Sequence, residues 1–159
     1  MRYADRRIVF LDVDGVLNDT GFRRRSVQRL SHRGPLTRGV HLLDPGPIQQ
    51  LNDLLARSDA LVVLSSDWRR YVPLPVMRTM LAWRGFIGEI VDTTPYLHGS
   101  ERGREIQQWL DTNGPVRSYV ILDDDDDMSG VRESLVLTDG HGLRAVDVER
   151  AVTVLSRAT

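Results

Sequence analysis

A run of apolar residues near the start of the chain ends directly in two carboxylates. Residues 8–11 read Ile-Val-Phe-Leu and are followed by Asp12, Val13, Asp14 and Gly15. A short apolar run rich in β-branched and aromatic residues predicts a buried strand, and Asp with Gly predicts the loop that ends it. Because side chains alternate along an extended chain, Asp12 and Asp14 point the same way if extension persists. An ordinary strand-end turn is the alternative interpretation.

Two neighbouring carboxylates of this kind can carry out phosphoryl transfer. One carboxylate attacks phosphorus and forms an aspartyl-phosphate, while the other protonates the leaving oxygen and later activates water. Asp12 and Asp14 suit these two roles.

Apolar strands and amphipathic helices alternate along the rest of the chain. Strands are predicted at residues 60–64, 90–91, 119–122 and 135–138, and helices at residues 45–58, 75–83, 101–112 and 148–155. Asp44, Ser100 and Asp147 are the predicted helix caps. The alternation predicts an α/β sandwich with a mainly parallel sheet, formed as one domain by residues 1–159. Ligands of such sheets bind outside the carboxyl ends of the strands.

Polar residues follow two more of the predicted strands. Ser65 and Ser66 come directly after residues 60–64, and five consecutive aspartates, residues 123–127, follow residues 119–122. A run of five acids is usually a solvated segment, and a serine in this position is often a helix cap. A strand end is a fixed position, however, so the sequence predicts that these groups meet Asp12 and Asp14 at one edge of the sheet.

The sequence Asp12-Val-Asp14-Gly-Val-Leu-Asn after an apolar strand resembles the first motif of the haloacid dehalogenase (HAD) superfamily of phosphohydrolases. The resemblance implies that Asp12 is the nucleophile and Asp14 the general acid/base. The second Asp is carried by phosphatases and phosphomutases of the superfamily and is lacking in its dehalogenases. The implied fold is a Rossmann-like three-layer sandwich with a minimal cap or flap, at about residues 19–43.

The serines and the aspartate run resemble the second and fourth motifs of that superfamily. The second motif implies that a hydroxyl binds a phosphate oxygen, and we expect this to be Ser65, which directly follows the apolar run, with Ser66 as the other choice. The fourth motif implies a Mg²⁺ site, because carboxylates are the ligands that this ion prefers. The implied ligands are Asp12, the backbone carbonyl of Asp14, and Asp124, supported by Asp123 and Asp127. Asp123 and Asp124 remain open alternatives.

The third motif normally supplies a lysine beside the nucleophile, and this chain has none. All 21 of its basic residues are Arg. Arg102, at the start of the predicted helix before the aspartate run, is the expected substitute, since Arg binds phosphate bidentately. Arg104 is the second choice, and both could instead be helix-surface residues.

The chain more closely resembles the small HAD domains of the Swiss Army Knife RNA repair proteins. The matching stretches are Val-Leu-Asn at residues 16–18, Ser-Ser-x-Trp-Arg at 65–69, Arg-Gly-x-Glu-Ile-x-x-Trp-Leu at 102–110, Ile-Leu-Asp-Asp at 121–124, and a late Gly-Leu. The resemblance implies a terminal phosphate on nucleic acid as the substrate.

An arginine-rich segment after the first motif is the predicted substrate-recognition region. Residues 19–41 hold six Arg against the single acid Asp19, and arginine both grips phosphates and stacks on bases. A solvated arginine face is the alternative. The residues predicted to contact substrate are Arg23, Arg24, Arg25, Ser66, Trp68, Arg69 and Arg104. Trp68 is predicted to stack on a base or to pack in the core.

Composition excludes several other functions. The chain has no Cys, which removes thiol catalysis and disulfides, and its net charge of −1 gives no global basic field. Residues 1–7 are charged and the next apolar run is short, so we expect no membrane partner and a cytoplasmic location. The expected partner is a phosphorylated substrate, such as a nucleotide or a nucleic-acid end. Phosphatase action on a small anionic metabolite, a phosphomutase and a non-catalytic nucleic-acid-binding module are the alternatives.

Overall fold

A parallel sheet runs through the part of the chain that the structure, a computed structural model, describes: residues 2–19, 21–22, 25 and 39–157. Its five strands are β1 (Arg7–Leu11), β2 (Leu61–Leu64), β3 (Ile90–Thr93), β4 (Ser118–Asp123) and β5 (Leu135–Leu137). They lie in the order β3-β2-β1-β4-β5, and all four pairings are parallel. The predicted α/β fold with a parallel sheet is confirmed.

In the described part of the chain from residue 45 onward, four α-helices connect or follow these strands. They are α1 (Pro45–Ser58), α2 (Leu74–Trp83), α3 (Arg102–Asn113) and α4 (Ala145–Ser156). The carboxylate of Asp44 accepts a hydrogen bond from the Gly46 amide, as the predicted cap of α1. The predicted cap of α3 is wrong, because Glu101 rather than Ser100 precedes its first residue. Helix α4 begins at Ala145, so Asp147 lies inside its first turn, where it accepts from the Arg144 amide at 3.1 Å.

Side chains alternate between the two faces of the sheet, and helices cover both faces. On β1, Val9 and Leu11 belong to one buried cluster, whereas Ile8 and Phe10 belong to another. The first cluster includes the apolar faces of α1, α2 and α4, and the second includes Trp109 of α3. Burial on both faces is why β1, β2 and β4 contain continuous apolar runs, whereas β3 reads Ile-Val-Asp-Thr. The result is the predicted three-layer sandwich.

The path of the chain creates a crevice beside β1. The chain passes from β1 to β2 and β3 on one side and then returns to β4 on the other side of β1. Right-handed crossovers require the connecting helices to lie on opposite faces for the two directions, as α1 and α3 do. The connections therefore diverge at the carboxyl ends of β1 and β4, and a ligand crevice forms at such a switch point.

The predicted flap is only partly described, because residues 20, 23–24 and 26–38 lie outside the described residues. Within the described part of the chain, no helix has the length and apolar character needed to cross a membrane.

Candidate active site

The backbone hydrogen-bond ladder continues past the ends of the strands. Across it, the amide of Asp12 donates to Leu122 at 3.0 Å, that of Ser65 to Leu11 at 2.8 Å, and that of Thr138 to Asp123 at 2.9 Å. These bonds therefore keep three residues in the register of the sheet: Asp12 after β1, Ser65 after β2 and Asp123 at the end of β4. Their side chains are held at one edge by backbone bonds rather than by loop packing alone.

Three carboxylates converge at this edge. Asp12, Asp123 and Asp124 each offer an oxygen that lies within 4.8 Å of the others. Asp12 is 7% exposed and Asp123 is 2% exposed, whereas Asp124 faces solvent. The Asp123 Oδ2 atom is buried and makes no hydrogen bond. A buried carboxylate oxygen without a donor is satisfied by a cation, so these residues fit a divalent ion with oxygen ligands, such as Mg²⁺.

The electrostatics of the cluster favour a cation. Burial raises the pKa of Asp12 to about 6, although the Arg102 guanidinium opposes this shift. Burial and the neighbouring Asp12 raise the pKa of Asp123 to about 8, and burial also raises the pKa of Asp124. Carboxylates that are buried together resist ionisation unless positive charge is close. A bound cation would supply that charge.

Gly15 allows Asp124 to approach the loop after β1. Its φ is +78°, in the left-handed region, and a Cβ at this position would lie 2.1 Å from the Asp124 Oδ2 atom. The Gly15 carbonyl also accepts from the Thr138 hydroxyl at 3.2 Å. Only glycine meets both requirements, the backbone conformation and the close contact.

Two side chains orient the carboxylate of Asp14. The Asn18 amide donates to Oδ1 at 3.1 Å, and the Trp68 indole donates to Oδ2 at 3.0 Å. Asn18 is fully buried and also accepts from the Gly15 amide, which closes the turn after β1. The structure therefore gives Trp68 a role in positioning Asp14, while its stacking on a base stays a prediction.

The two serines after β2 face different neighbours. The hydroxyl of Ser66 hydrogen-bonds to Asp12 and lowers the pKa of that carboxyl. The hydroxyl of Ser65 lies 3.4 Å from that of Thr94 on the next strand end, and its carbonyl accepts from Arg102. The geometry thus favours Ser66 over Ser65 as the hydroxyl next to the nucleophile, contrary to the sequence-based preference.

Among the described basic residues, Arg102 is the one that reaches the cluster. Its Nη1 donates to the Ser65 carbonyl, its Nε lies 4.0 Å from Asp123 Oδ2, and its side chain is 15% exposed. Its amide donates to the Asp127 carboxylate at 3.0 Å, so Asp127 holds the first turn of α3 and is not one of the three clustered carboxylates. Arg104 is exposed on the helix. Of the two predicted arginines, Arg102 is the one beside Asp12 and Asp123.

The family comparison agrees with this site. The family model described as the HAD domain in Swiss Army Knife RNA repair proteins matches residues 8–148. The chain belongs to this family. The match spans the strand ends that carry Asp12, Ser66 and Asp123 and the start of α3, which carries Arg102, and it indicates a phosphatase-type hydrolase. Neither the curated proteins nor the solved structures include a significant match to the chain.

Arg69 of this HAD domain is predicted to contact substrate, but in the structure its side chain contacts other parts of the protein. Its guanidinium forms an ion pair with Glu105 on α3, and both side chains are at most 5% exposed. It also donates to the carbonyls of Ser66, Thr94 and Pro95. Arg69 therefore ties the turn after β2 to the loop after β3 and to α3, and it has no free edge for a phosphate.

The other predicted substrate contacts lie away from the described cluster or outside the described residues. Arg23 and Arg24 are not among the described residues, and the described Arg25 is exposed.

Sequence reasoning missed the supporting roles of Asn18, Thr94, Glu105 and Thr138. Asn18 carried a usable signal, because it follows Asp14 by four residues in the first motif, whereas the other three are brought in by the sheet and by α3.

Proposed function

We propose that this HAD domain is a Mg²⁺-dependent phosphomonoesterase that acts through an aspartyl-phosphate on Asp12. The observation that carries the proposal is the meeting of a buried carboxylate at the end of β1 with Arg102 and two further carboxylates, next to an oriented Asp14. A phosphoryl group placed there would face a nucleophile, a cation and an acid/base within one crevice.

The first step transfers the phosphoryl group to the protein. An Asp12 carboxylate oxygen attacks phosphorus, the bond from phosphorus to the ester oxygen breaks, and the carboxyl group of Asp14 gives its proton to the leaving alkoxide. The Arg102 guanidinium and the Ser66 hydroxyl stabilise negative charge on the remaining phosphoryl oxygens. At neutral pH most of Asp12 is ionised, since burial raises its pKa only to about 6.

The second step releases phosphate. Asp14, now a carboxylate, accepts a proton from water as the water oxygen attacks phosphorus. The bond to the Asp12 oxygen breaks, which returns that residue to a carboxylate and Asp14 to its protonated form. Asn18 and Trp68 hold the Asp14 side chain in one orientation for both proton transfers.

Asp12, Asp123 and Asp124 are the side chains that would hold Mg²⁺, with the backbone carbonyl of Asp14 as the further proposed ligand. When bound, the ion neutralises phosphoryl oxygens and orients the phosphate for in-line attack. The buried Asp123 Oδ2 supports this assignment, because it accepts no hydrogen bond and the Arg102 Nε is 4.0 Å away.

A nucleotide or nucleic-acid terminal phosphate is the proposed substrate. The family takes its description from RNA repair proteins, and the arginine-rich segment at residues 22–38 supplies positive charge close to the first motif in sequence. A small anionic phosphometabolite would use the same chemistry without that segment.

The test is phosphate release with Mg²⁺ from four substrates: a 3′-phosphorylated oligonucleotide, a 5′-phosphorylated one, a mononucleotide and an aryl phosphate. Asp12→Asn keeps the shape of the side chain and removes the nucleophile, so it serves as the blank. We expect release from an oligonucleotide end to exceed release from the aryl phosphate, and EDTA to abolish both. Release from small phosphates alone would remove the nucleic-acid substrate. No release from any substrate, with oligonucleotide binding retained, would favour a binding module.

A further inference from the structure

An exposed arginine contacts two tyrosine rings on segments that adjoin the candidate active site. The guanidinium carbon of Arg70 is 4.3 Å from the ring centroid of Tyr96 and 5.3 Å from that of Tyr71. Tyr71 is 75% exposed and Tyr96 is 43% exposed, and Arg70 itself faces solvent. We call Arg70, Tyr71 and Tyr96 the Arg70 platform.

The platform belongs to the rim of the active-site crevice. Arg70 ends the 3₁₀ turn Asp67–Arg70, which follows Ser66, the residue that hydrogen-bonds to Asp12. Tyr96 comes directly after Thr94 and Pro95 in the chain. The backbone carbonyls of Thr94 and Pro95 accept hydrogen bonds from the buried Arg69 guanidinium. Arg69 thus joins the two segments that carry the platform, and it fixes their position relative to the end of β2.

Nothing in the described part of the chain neutralises Arg70. Its described contacts are the two ring contacts, and it forms no ion pair with any described carboxylate. Arg69, the neighbouring arginine, is by contrast buried against Glu105. The aromatic neighbours hold the Arg70 guanidinium in place while leaving it accessible to an anion.

Exposed aromatic rings next to an arginine without an acidic partner are the features that bind single-stranded nucleic acid. Bases stack on the rings irrespective of sequence, and the guanidinium binds backbone phosphate. Tyr71 and Tyr96 belong to neither of the buried clusters on the two faces of the sheet, so their exposed ring surface is accessible to a ligand. A small phosphometabolite would have no base to place on them.

We propose that the Arg70 platform binds the single-stranded nucleotides adjoining the terminal phosphate, with bases on Tyr71 and Tyr96 and a backbone phosphate on Arg70. This inference rests on the proposed phosphatase function and deepens it, because it assigns the part of the substrate that lies outside the catalytic crevice. A double-stranded blunt end keeps its bases paired and stacked, so it cannot use the platform.

The experiment measures binding without turnover. Full-length protein carrying Asp12→Asn is titrated with fluorescently labelled, 3′-phosphorylated RNA and DNA single strands of one sequence, and with the matching blunt duplex. Arg70→Ala and Tyr71→Ala, each added to Asp12→Asn, are expected to raise the Kd for the single strands about tenfold, the size of one lost stacking or phosphate contact. Both changes are at exposed side chains, so circular dichroism is expected to report an unchanged fold.

The matched controls are Trp83→Ala and Arg157→Ala. Trp83 ends α2 and Arg157 follows α4, so both are exposed at the opposite, amino edge of the sheet. They are expected to leave the Kd within about twofold. With Asp12 intact, the ratio of kcat/KM for the oligonucleotide to that for an aryl phosphate is expected to fall about tenfold in the platform variants only.

The outcomes separate the two proposals. Equal Kd values for platform and control variants, or the same loss for the blunt duplex as for the single strands, would overturn the platform. Aryl phosphate turnover without any oligonucleotide binding would overturn the platform and leave the phosphatase. Platform-dependent binding without turnover of any phosphate would support the platform and remove the phosphatase. The RNA and DNA arms show which strand is preferred.

Discussion

The indole N–H of Trp68 donates a hydrogen bond to the Oδ2 atom of Asp14 over 54 positions of sequence. This bond connects the turn after β2 to the loop after β1, and with Asn18 it gives both oxygens of Asp14 a donor. In the proposed mechanism Asp14 moves two protons, so its orientation matters for turnover.

Trp68→Phe is therefore expected to lower kcat at least about tenfold, because a hydrogen bond to a charged group contributes about 1.5–3 kcal/mol. Steady-state kinetics on an aryl phosphate measures this. Trp109→Phe is the matched control, since Trp109 makes the same kind of bond, 2.8 Å to Asp92, away from the crevice. It is expected to lower stability by about 1.5–3 kcal/mol, the contribution of that bond, and to leave kcat unchanged. A Trp68→Phe protein with full kcat would show that the bond has no part in turnover.

Arg102 is expected to be the basic residue on which the chemistry depends. Arg102→Ala should reduce kcat/KM about 100-fold or more, because it removes the guanidinium beside Asp12 and Asp123. Arg102→Lys keeps the charge but not the forked geometry and should recover part of the loss. Arg104→Ala, two residues further along the exposed side of α3, should change kcat/KM less than about twofold. The opposite order would return the role to Arg104.

Gly15 is expected to tolerate no side chain. A Cβ there would overlap Asp124 Oδ2, so Gly15→Ala should displace one of the three clustered carboxylates and weaken Mg²⁺ activation about tenfold or more. Gly130→Ala is the control, because Gly130 has a similar φ, +83°, but no heavy atom within 4 Å of the added Cβ. It should lower stability by about 1 kcal/mol and leave the Mg²⁺ dependence unchanged. Titration of activity with Mg²⁺ compares the two.

The carboxylate cluster predicts an unusual pH dependence of stability. In the folded protein the pKa of Asp123 is about 8, against 3.8 ordinarily, and that of Asp12 is about 6. The folded state therefore holds protons that the unfolded state has lost, and the free energy of unfolding contributed by these groups falls as pH rises from about 4 to about 8. Mg²⁺ binds the ionised carboxylates, so it should raise Tm more near pH 8 than near pH 5.5.

Thermal melts with EDTA and with Mg²⁺ at the two pH values measure this effect. Asp123→Asn cannot ionise at this position, so it should flatten the pH dependence in EDTA and reduce the stabilisation by Mg²⁺. Equal Mg²⁺ stabilisation of the parent and of Asp123→Asn would place the ion elsewhere.

Arg69 is expected to matter for stability. Arg69→Ala leaves Glu105 buried without its partner, which costs about 3–5 kcal/mol. Denaturant unfolding measures the loss, and the Arg69→Ala, Glu105→Ala double variant should lose less than the sum of the single variants. Arg57→Ala, which breaks the exposed pair with Glu149, should have little effect. Unchanged stability with a raised KM in Arg69→Ala would instead support the predicted substrate contact.

The fold followed from local patterns, because β1, β2 and β4 contain short apolar runs and each helix carries an apolar stripe. The arrangement of the first motif could also be predicted locally, because Asp12, Asp14 and Asn18 are close in sequence and the conformation of this short segment determines their relative positions. The resemblance to the third motif implies Arg102, at the start of the helix before the aspartate run, as the substitute for lysine, and in the structure its Nε lies 4.0 Å from Asp123 Oδ2.

Contacts between distant segments could not be read from the sequence. Nothing local distinguishes Ser66 from Ser65, because the rotation of the chain after β2 decides which hydroxyl meets Asp12. Trp68 and Arg69 looked like substrate contacts for the same reason: their partners, Asp14 and Glu105, are 54 and 36 positions away. The sequence suggested Asp127 as a supporting metal ligand, because nothing in it shows that the Asp127 carboxylate accepts a hydrogen bond from the Arg102 amide at the start of α3.

The ladder that extends past the strand ends has a consequence for how such a domain can diversify. Asp12, Ser65 and Asp123 are anchored by the sheet itself, whereas Arg70 and Tyr96 are carried by two short surface segments. Changes in those segments can alter which molecule is held at the rim while the reacting groups keep their register. In this architecture, substitutions in the surface segments can change substrate preference during evolution without displacing the side chains that carry out the reaction.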